Sequence, residues 1–198
     1  MAQTINDAWQ QAVRDIDIAQ MEALLSEDPG LAIQGIVHTR GNGTTYRKSP
    51  LRMVNSSIDA AQLLLNAGAD PNDGADSVLA IHNASPEVAE LLLNAGAEID
   101  RIGYEQGTAL MFEVGQRNPD TAKLLIERGA DLNIQRTMDG NSALHFAVIK
   151  QYPEMVDLLL AGGADPTLRN NDEHTPLDIA QANNAEEIIR KLKETAGQ

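Results

Sequence analysis

The chain repeats itself, and nothing else in it limits the possible folds so sharply. The word LLLNAGADPN begins at Leu63, LLLNAGAEID at Leu91, LLIERGADLN at Leu124 and LLLAGGADPT at Leu158, with steps of 28, 33 and 34 residues. A second word runs ahead of each: SPL at Ser49, SVL at Ser77, TAL at Thr108, SAL at Ser142 and, beyond the last long word, TPL at Thr175. Two words in fixed order at this period mark one supersecondary unit used again and again.

The unit can be read from its chemistry. Each short word opens with Ser or Thr, whose side-chain oxygen suits a helix N-cap. A short helix follows, as in SALHFAVIK. Pro86, Pro119 and Pro153 then mark the start of a second helix, where a missing N–H costs nothing. Gly68, Gly96, Gly129 and Gly163 close that helix as residues able to take left-handed dihedrals. A polar stretch leads to the next Ser or Thr, so the unit is helix–turn–helix–loop. One such hairpin cannot cover its own Leu-rich face, whereas stacked copies bury it between neighbours. Composition agrees: aromatic residues are only 3% of a chain that is 42% hydrophobic, so Leu, Ala and Gly must do the packing.

On these words the chain resembles the ankyrin-repeat family. TPLDIA at Thr175 and SALHFA at Ser142 match its first signature, and LLLNAGADPN and LLIERGADLN its second, at its period of about 33 residues. The resemblance implies an all-α ankyrin-repeat solenoid of about six units including caps, with short β-hairpin-like fingers. It divides a single domain, 1–198, into an N-terminal cap unit at 4–33, an inserted loop at 34–48, internal repeats at 49–171 and a C-terminal cap unit at 172–195. The first unit lacks the short word, and Trp9 is expected to pack its ring against the second.

Two kinds of irregularity interrupt this pattern. The units that begin at Ser49 and Ser77 are each two residues short between the Ser and the second helix, and the link from Asp70 to Ser77 is short as well. Charge is also uneven in a chain of net charge -14. Between Arg52 and Arg101 there is no Lys or Arg but eight acids, whereas between Asp28 and Asp59 there is no acid but Arg40, Arg47, Lys48 and Arg52. The inserted segment is therefore a basic island, read either as a docking loop for an acidic partner or as a segment folded onto the protein's own acidic surface.

The same charge argues against nucleic acid or an anionic membrane as the main partner, since both are recognised by Lys and Arg clusters. No stretch is long and apolar enough to span a bilayer. MAQTINDAWQQ has no basic segment followed by an apolar one, and the chain has no cysteine, so a cytoplasmic protein without disulfides is expected. Chemistry is sparse. His38, His82, His145 and His174 form no metal-binding spacing. The run DPNDGAD lacks the spacing and terminal Glu of a calcium loop, and Gly41–Gly43 opens no helix that could cradle a phosphate. No Ser–His–acid set can be assembled. No catalytic residue, no metal site and no cofactor are expected, and the protein is read as not an enzyme.

What the resemblance implies instead is a protein-interaction scaffold that binds another protein along a concave groove. By position in the family's pattern, the finger tips are Arg101, Tyr104 and Glu105, then Arg136, Met138 and Asp139, then Asn171, Asp172 and His174. The first helices offer Gln116, Ile149 and Lys150, with Asn55, Asn83 and Asn183 at related positions. Within this reading fall an intracellular inhibitor, an immunity protein and an effector, acting as a monomer. The alternative is a small-molecule-binding protein or enzyme with a pocket at the irregular units. There His82 and Glu113 replace a small residue at equivalent positions.

Overall fold

A computed structural model of the chain describes residues 2–39, 45–73, 79–103 and 107–196. They form two compact units, Met1–Glu98 and Ile99–Gln198, and each is best understood by itself.

The second unit is the regular one. Three short inner helices, α6 (Ala109–Gln116), α8 (Ala143–Ile149) and α10 (Pro176–Ala182), alternate with α7 (Pro119–Glu127), α9 (Pro153–Ala161) and α11 (Glu186–Ala196). Each inner helix packs on its own outer helix and on the next inner helix. Thr108 Oγ1 accepts from the Met111 N–H at 3.4 Å, and Thr175 exchanges bonds with Asp178 in a capping box, so these two words cap helices as expected, whereas the Ser49 side chain makes no cap bond and Ser77 lies outside the described residues. At Ser142 the N–H and hydroxyl meet the His145 imidazole at 3.2 and 2.9 Å. Leu110, Val114, Leu125, Leu144, Val148, Val156 and Leu159 are buried, with Ala109, Ala143, Ala147 and Ala180 between them. These small residues let the helices approach closely, which is why few aromatics are needed.

The first unit begins with α1 (Ala2–Asp15) and α2 (Ile18–Glu27). Trp9, Ala12 and Val13 lie one helical turn apart on the buried face of α1. A 3-10 helix (Pro29–Ile33) follows, and α1 also packs against α3 (Pro50–Met53). Residues 36–39 and 45–48, expected as part of an inserted loop, instead form an antiparallel hairpin. In it β1 (Ile36–Thr39) pairs with β2 (Thr45–Lys48), with Ile36 opposite Lys48 and Thr39 opposite Thr45. Ile36–Val37 and Thr45–Tyr46 are β-branched and aromatic residues that favour a pleated strand.

The two-residue deletions have a plain consequence. Inner helices of seven or eight residues in the second unit shrink to four in α3, and around Ile81 and His82 to turns, with the His82 N–H bonded to the Leu79 carbonyl at 3.0 Å. The outer helices α4 (Ile58–Asn66) and α5 (Pro86–Asn94) keep their full length and pack together. Asn55 bridges what the missing helix would have held. Its Nδ2 donates to the Asn83 carbonyl at 2.8 Å, and its carbonyl accepts from the Ser85 N–H at 2.9 Å.

Gly68, Gly96, Gly129 and Gly163 close the outer helices with φ between 87° and 94°. A different constraint acts at Gly140 in the finger of residues 132–141, where φ is 70° and a Cβ would lie 2.5 Å from the Asn171 backbone nitrogen. At Gly129 no atom lies within 4 Å of such a Cβ. Gly129→Ala should therefore cost only the left-handed backbone penalty, about 1 kcal/mol. Gly140→Ala should cost about 1 to 3 kcal/mol beyond that, because the next finger must shift. Urea melts of the two variants compare them directly, and equal losses would show that the finger contact contributes nothing.

Candidate functional site

In the second unit the loops between repeats are short fingers closed by their own backbone. The Gly103 N–H bonds to the Gly107 carbonyl at 3.1 Å, Arg136 to Asn141 at 3.0 Å, and Asn170 to His174 at 3.0 Å. The fingers are then tied to one another. The Asn171 N–H donates to the Asp139 carbonyl at 3.0 Å, and Asn170 Nδ2 donates to Asn141 Oδ1 at 3.0 Å. Gln135 Nε2 reaches the Arg169 carbonyl at 2.7 Å, and Asn133 Oδ1 accepts from the Asp165 N–H at 2.8 Å. His145 is fully buried, and its Nε2 meets the His174 carbonyl at 3.1 Å, so this imidazole joins one inner helix to the following finger. Burial holds it below its ordinary pKa.

On this fixed backbone the expected binding residues divide into two groups. Met138 is 65% exposed at its finger tip and Ile149 is 42% exposed at the end of α8. Arg101, Gln116, Lys150, Asn171, Asp172 and His174 are also exposed. Arg136 and Asp139 are different. The Arg136 Nε donates to Asp139 Oδ1 at 3.1 Å, a second guanidinium nitrogen bonds the other oxygen, and the guanidinium lies 4.7 Å over the Phe146 ring. This pair shapes the finger. The bond from Arg136 holds the Asp139 carboxyl down at about 2, with the Asn141 N–H adding to it. Tyr104 and Glu105 lie outside the described residues, as do Arg40 and the Gly41–Gly43 run.

Two contributions were missed in the sequence. Phe146, half-buried on α8 three residues before Ile149, adds apolar surface beside it; the signal was its place four residues after Ser142, matching Phe112 after Thr108. Arg117, in a left-handed conformation at φ 61°, donates to the Lys150 carbonyl at 2.5 Å and stacks 5.3 Å from the Tyr152 ring. It complements the carbonyl end of α8, and Tyr152 packs against a cation.

In the first unit Arg47 is exposed on the hairpin, while Lys48 and Arg52 are half-buried at its base. His82 is only 5% exposed, and burial, with the positive charge of Arg52, lowers its pKa to about 4. Glu113, in the second unit, is fully buried and accepts from Asn118 Nδ2 at 2.7 Å. Among the described residues no three His, Asp or Glu side chains gather to hold a metal ion, and no helix is long and apolar enough to cross a membrane.

Against known families, a model described as ankyrin repeats matches three times, over residues 51–136, 77–170 and 110–198. The chain is similar to the mitochondrial disaggregase of Homo sapiens, 34% identical over 69% of this chain and 20% of that protein. It is similar to the mitochondrial disaggregase of Bos taurus at 30% over 92% of this chain and 22% of that protein. A putative ankyrin repeat protein of Fowlpox virus is 40% identical over 43% of this chain and 25% of its own length. The chain thus spans about a fifth to a quarter of the length of these relatives.

The buried histidine makes a prediction about pH. His82 stays neutral in the folded chain down to about 4, whereas in the unfolded chain it takes up a proton near 6.5. Its contribution to stability is therefore complete above 6.5 and is lost as pH falls from 6.5 to 4, by about 3 kcal/mol in all. His82→Ala, which places the same residue type as Ala147 and Ala180, should flatten the stability profile in that window. His145, also lowered by burial, should add slope of the same sign. Chemical denaturation at several pH values reads this out, and an unchanged slope in the variant would contradict it.

Proposed function

Because the chain belongs to the ankyrin-repeat family, whose repeats are generally protein–protein interaction modules, we propose that it is a non-catalytic scaffold. It captures a protein partner on the finger tips and inner helices of residues 99–198. The observation that carries this reading is Met138. It is a 65% exposed apolar side chain on a finger whose backbone is fixed by Arg136, Asp139 and Asn171. A thioether on a rigid turn offers adaptable apolar contact without the cost of ordering a loop. Ile149 and the half-buried Phe146 extend the apolar contact on α8, while Gln116, Lys150, Asn171, Asp172 and His174 supply a polar surround. Apolar anchors within a polar rim are the usual anatomy of a protein interface.

The scaffold acts by occupancy, as an inhibitor, immunity or effector-type protein that covers a surface of its partner. No step of the reading needs a cofactor, a metal or a catalytic group.

Capture of a partner from lysate on the immobilised chain, followed by titration of that partner, tests the assignment. Met138→Ala together with Ile149→Ala should weaken binding by about 1 to 3 kcal/mol. The melting temperature should stay where it was, since both side chains are exposed. Full retention of affinity would remove the finger and the inner helix from the interface. Arg136→Ala should behave in the opposite way. It should lower stability by about 1 to 2 kcal/mol through loss of the Asp139 and Phe146 contacts, whether or not a partner is present. An unchanged melt would return Arg136 to the set of free binding residues.

A further inference from the structure

The hairpin in the first unit has no place in that interface, and its charge is out of keeping with the chain. Residues 29–58 hold four cations, Arg40, Arg47, Lys48 and Arg52, and no Asp or Glu, within a chain of net charge -14. The register of the hairpin sorts its faces. Ile36, opposite Lys48, is fully buried, so that face turns inward; Val37 and Arg47, opposite each other, share the outward face with Thr45. The Arg47 side chain lies against Gly35, where a Cβ would sit 2.9 Å from that of Arg47. This close approach holds the stem of Arg47 in place while its head stays exposed. Ile33, two residues before Gly35, is 63% exposed.

The two edges of the hairpin differ. On β1 the Val37 carbonyl accepts from the exposed Arg14 guanidinium at 3.1 Å, so that carbonyl is already taken. The sheet has only two strands, so among the described residues β2 pairs on one side alone. In an antiparallel pair alternate residues of an edge strand point their N–H and C=O groups away from the partner strand, where they can accept a further strand. At the start of the segment the Asp28 carboxylate accepts from the Gly30 N–H at 2.9 Å, and among the described residues neither Arg14 nor Arg47 has an ion-pair partner.

We propose that β2 is a docking edge for an acidic, extended peptide segment of a partner protein. The segment adds as a third strand and sets a carboxylate against Arg47. Main-chain bonds along the edge supply the affinity of strand addition, and Arg47 supplies the choice of an acidic sequence. Charge complementarity selects the occupant: the hairpin is positive, while the rest of the chain would repel a long polyanion such as a nucleic acid. The site is independent of Met138 and Ile149, so the two readings can fail separately.

A fluorescein-labelled peptide of alternating Glu and Val, titrated with the full chain and followed by fluorescence anisotropy, tests the proposal. The peptide should bind, more weakly as salt rises, and hydrogen exchange should slow at the amides of residues 45–48 in the complex. Arg47→Glu should weaken binding at least tenfold and Arg47→Ala by roughly threefold, with the thermal melt of the free protein unchanged in both. Met138→Ala with Ile149→Ala should leave this binding as it was. No binding, equal binding by Arg47→Glu, or protection absent from residues 45–48 would each overturn the assignment. An oligothymidylate of the same length that bound as tightly as the peptide would overturn the choice of a peptide.

Discussion

The constraint on which this structure depends is that no repeat can bury its own leucines. In the second unit each inner helix gives one face to its outer helix and another to the next inner helix, so the apolar surface of α8 is covered only because α6 and α10 flank it. The polar loops obey the same rule. The Asp139 carbonyl is satisfied by the N–H of Asn171, the Asn141 side chain by Asn170, and Nε2 of His145 by the carbonyl of His174, all from the following repeat. Core and loop are therefore completed by the same neighbour, and a finger keeps its shape without help from its most exposed side chains. That is the physical reason a residue such as Met138 is free to serve recognition: its own contribution to folding is small, and the turn that carries it is held elsewhere.

Which polar residues belong to the fold and which to the surface is then a matter of hydrogen-bond geometry. Arg136, Arg117 and Asn55 are all chemically suited to binding, yet each is committed internally. Arg136 is held by Asp139 and Phe146, Arg117 by the Lys150 carbonyl and Tyr152, and Asn55 by the backbone of Asn83 and Ser85. All three reach a backbone carbonyl or carboxylate that would otherwise be incompletely paired. Removing one would leave that group behind in a partly dry site, which costs more than the net value of the bond itself.

The sequence made the regular features legible because they follow from one residue each. Thr108 and Thr175 cap helices, Pro119 and Pro153 open them, and Gly129 and Gly163 close them with positive φ, since these residue types do these tasks at little cost. The hairpin at 36–48 was not legible. Its strands are four residues long, too short for an alternating pattern to stand out, and their pairing joins residues up to twelve apart. The two-residue deletions were visible, but not that the inner helix would shrink to the turn around Ile81 and His82; that outcome depends on which groups recover the lost helical bonds, and Asn55 does so from a different repeat. Among the candidate binding residues, exposure at Met138 and Ile149 followed from the repeat register. The commitment of Arg136 did not, because a bond to Asp139 three residues on and a ring beneath it require the finger's actual turn.

One position shows how far the repeat can be altered. Five residues after each opening Ser or Thr stand Val54, His82, Glu113, Ala147 and Ala180, and every one of them is buried. Alanine suits the place because neighbouring helices come close there. A carboxylate in the same place must bring its own partner, and Glu113 does so within its repeat. Asn118, five residues on, donates its side-chain amide to the carboxylate at 2.7 Å and its backbone N–H to the Glu113 carbonyl at 2.9 Å. That much of the compensation is local in sequence. His82 meets the same problem by remaining neutral, which burial and the nearby positive charge of Arg52 both favour. Two polar intrusions at equivalent positions are accommodated by different chemistry, one by a hydrogen bond and the other by loss of charge. A polar side chain at this buried position is therefore compatible with a structural role.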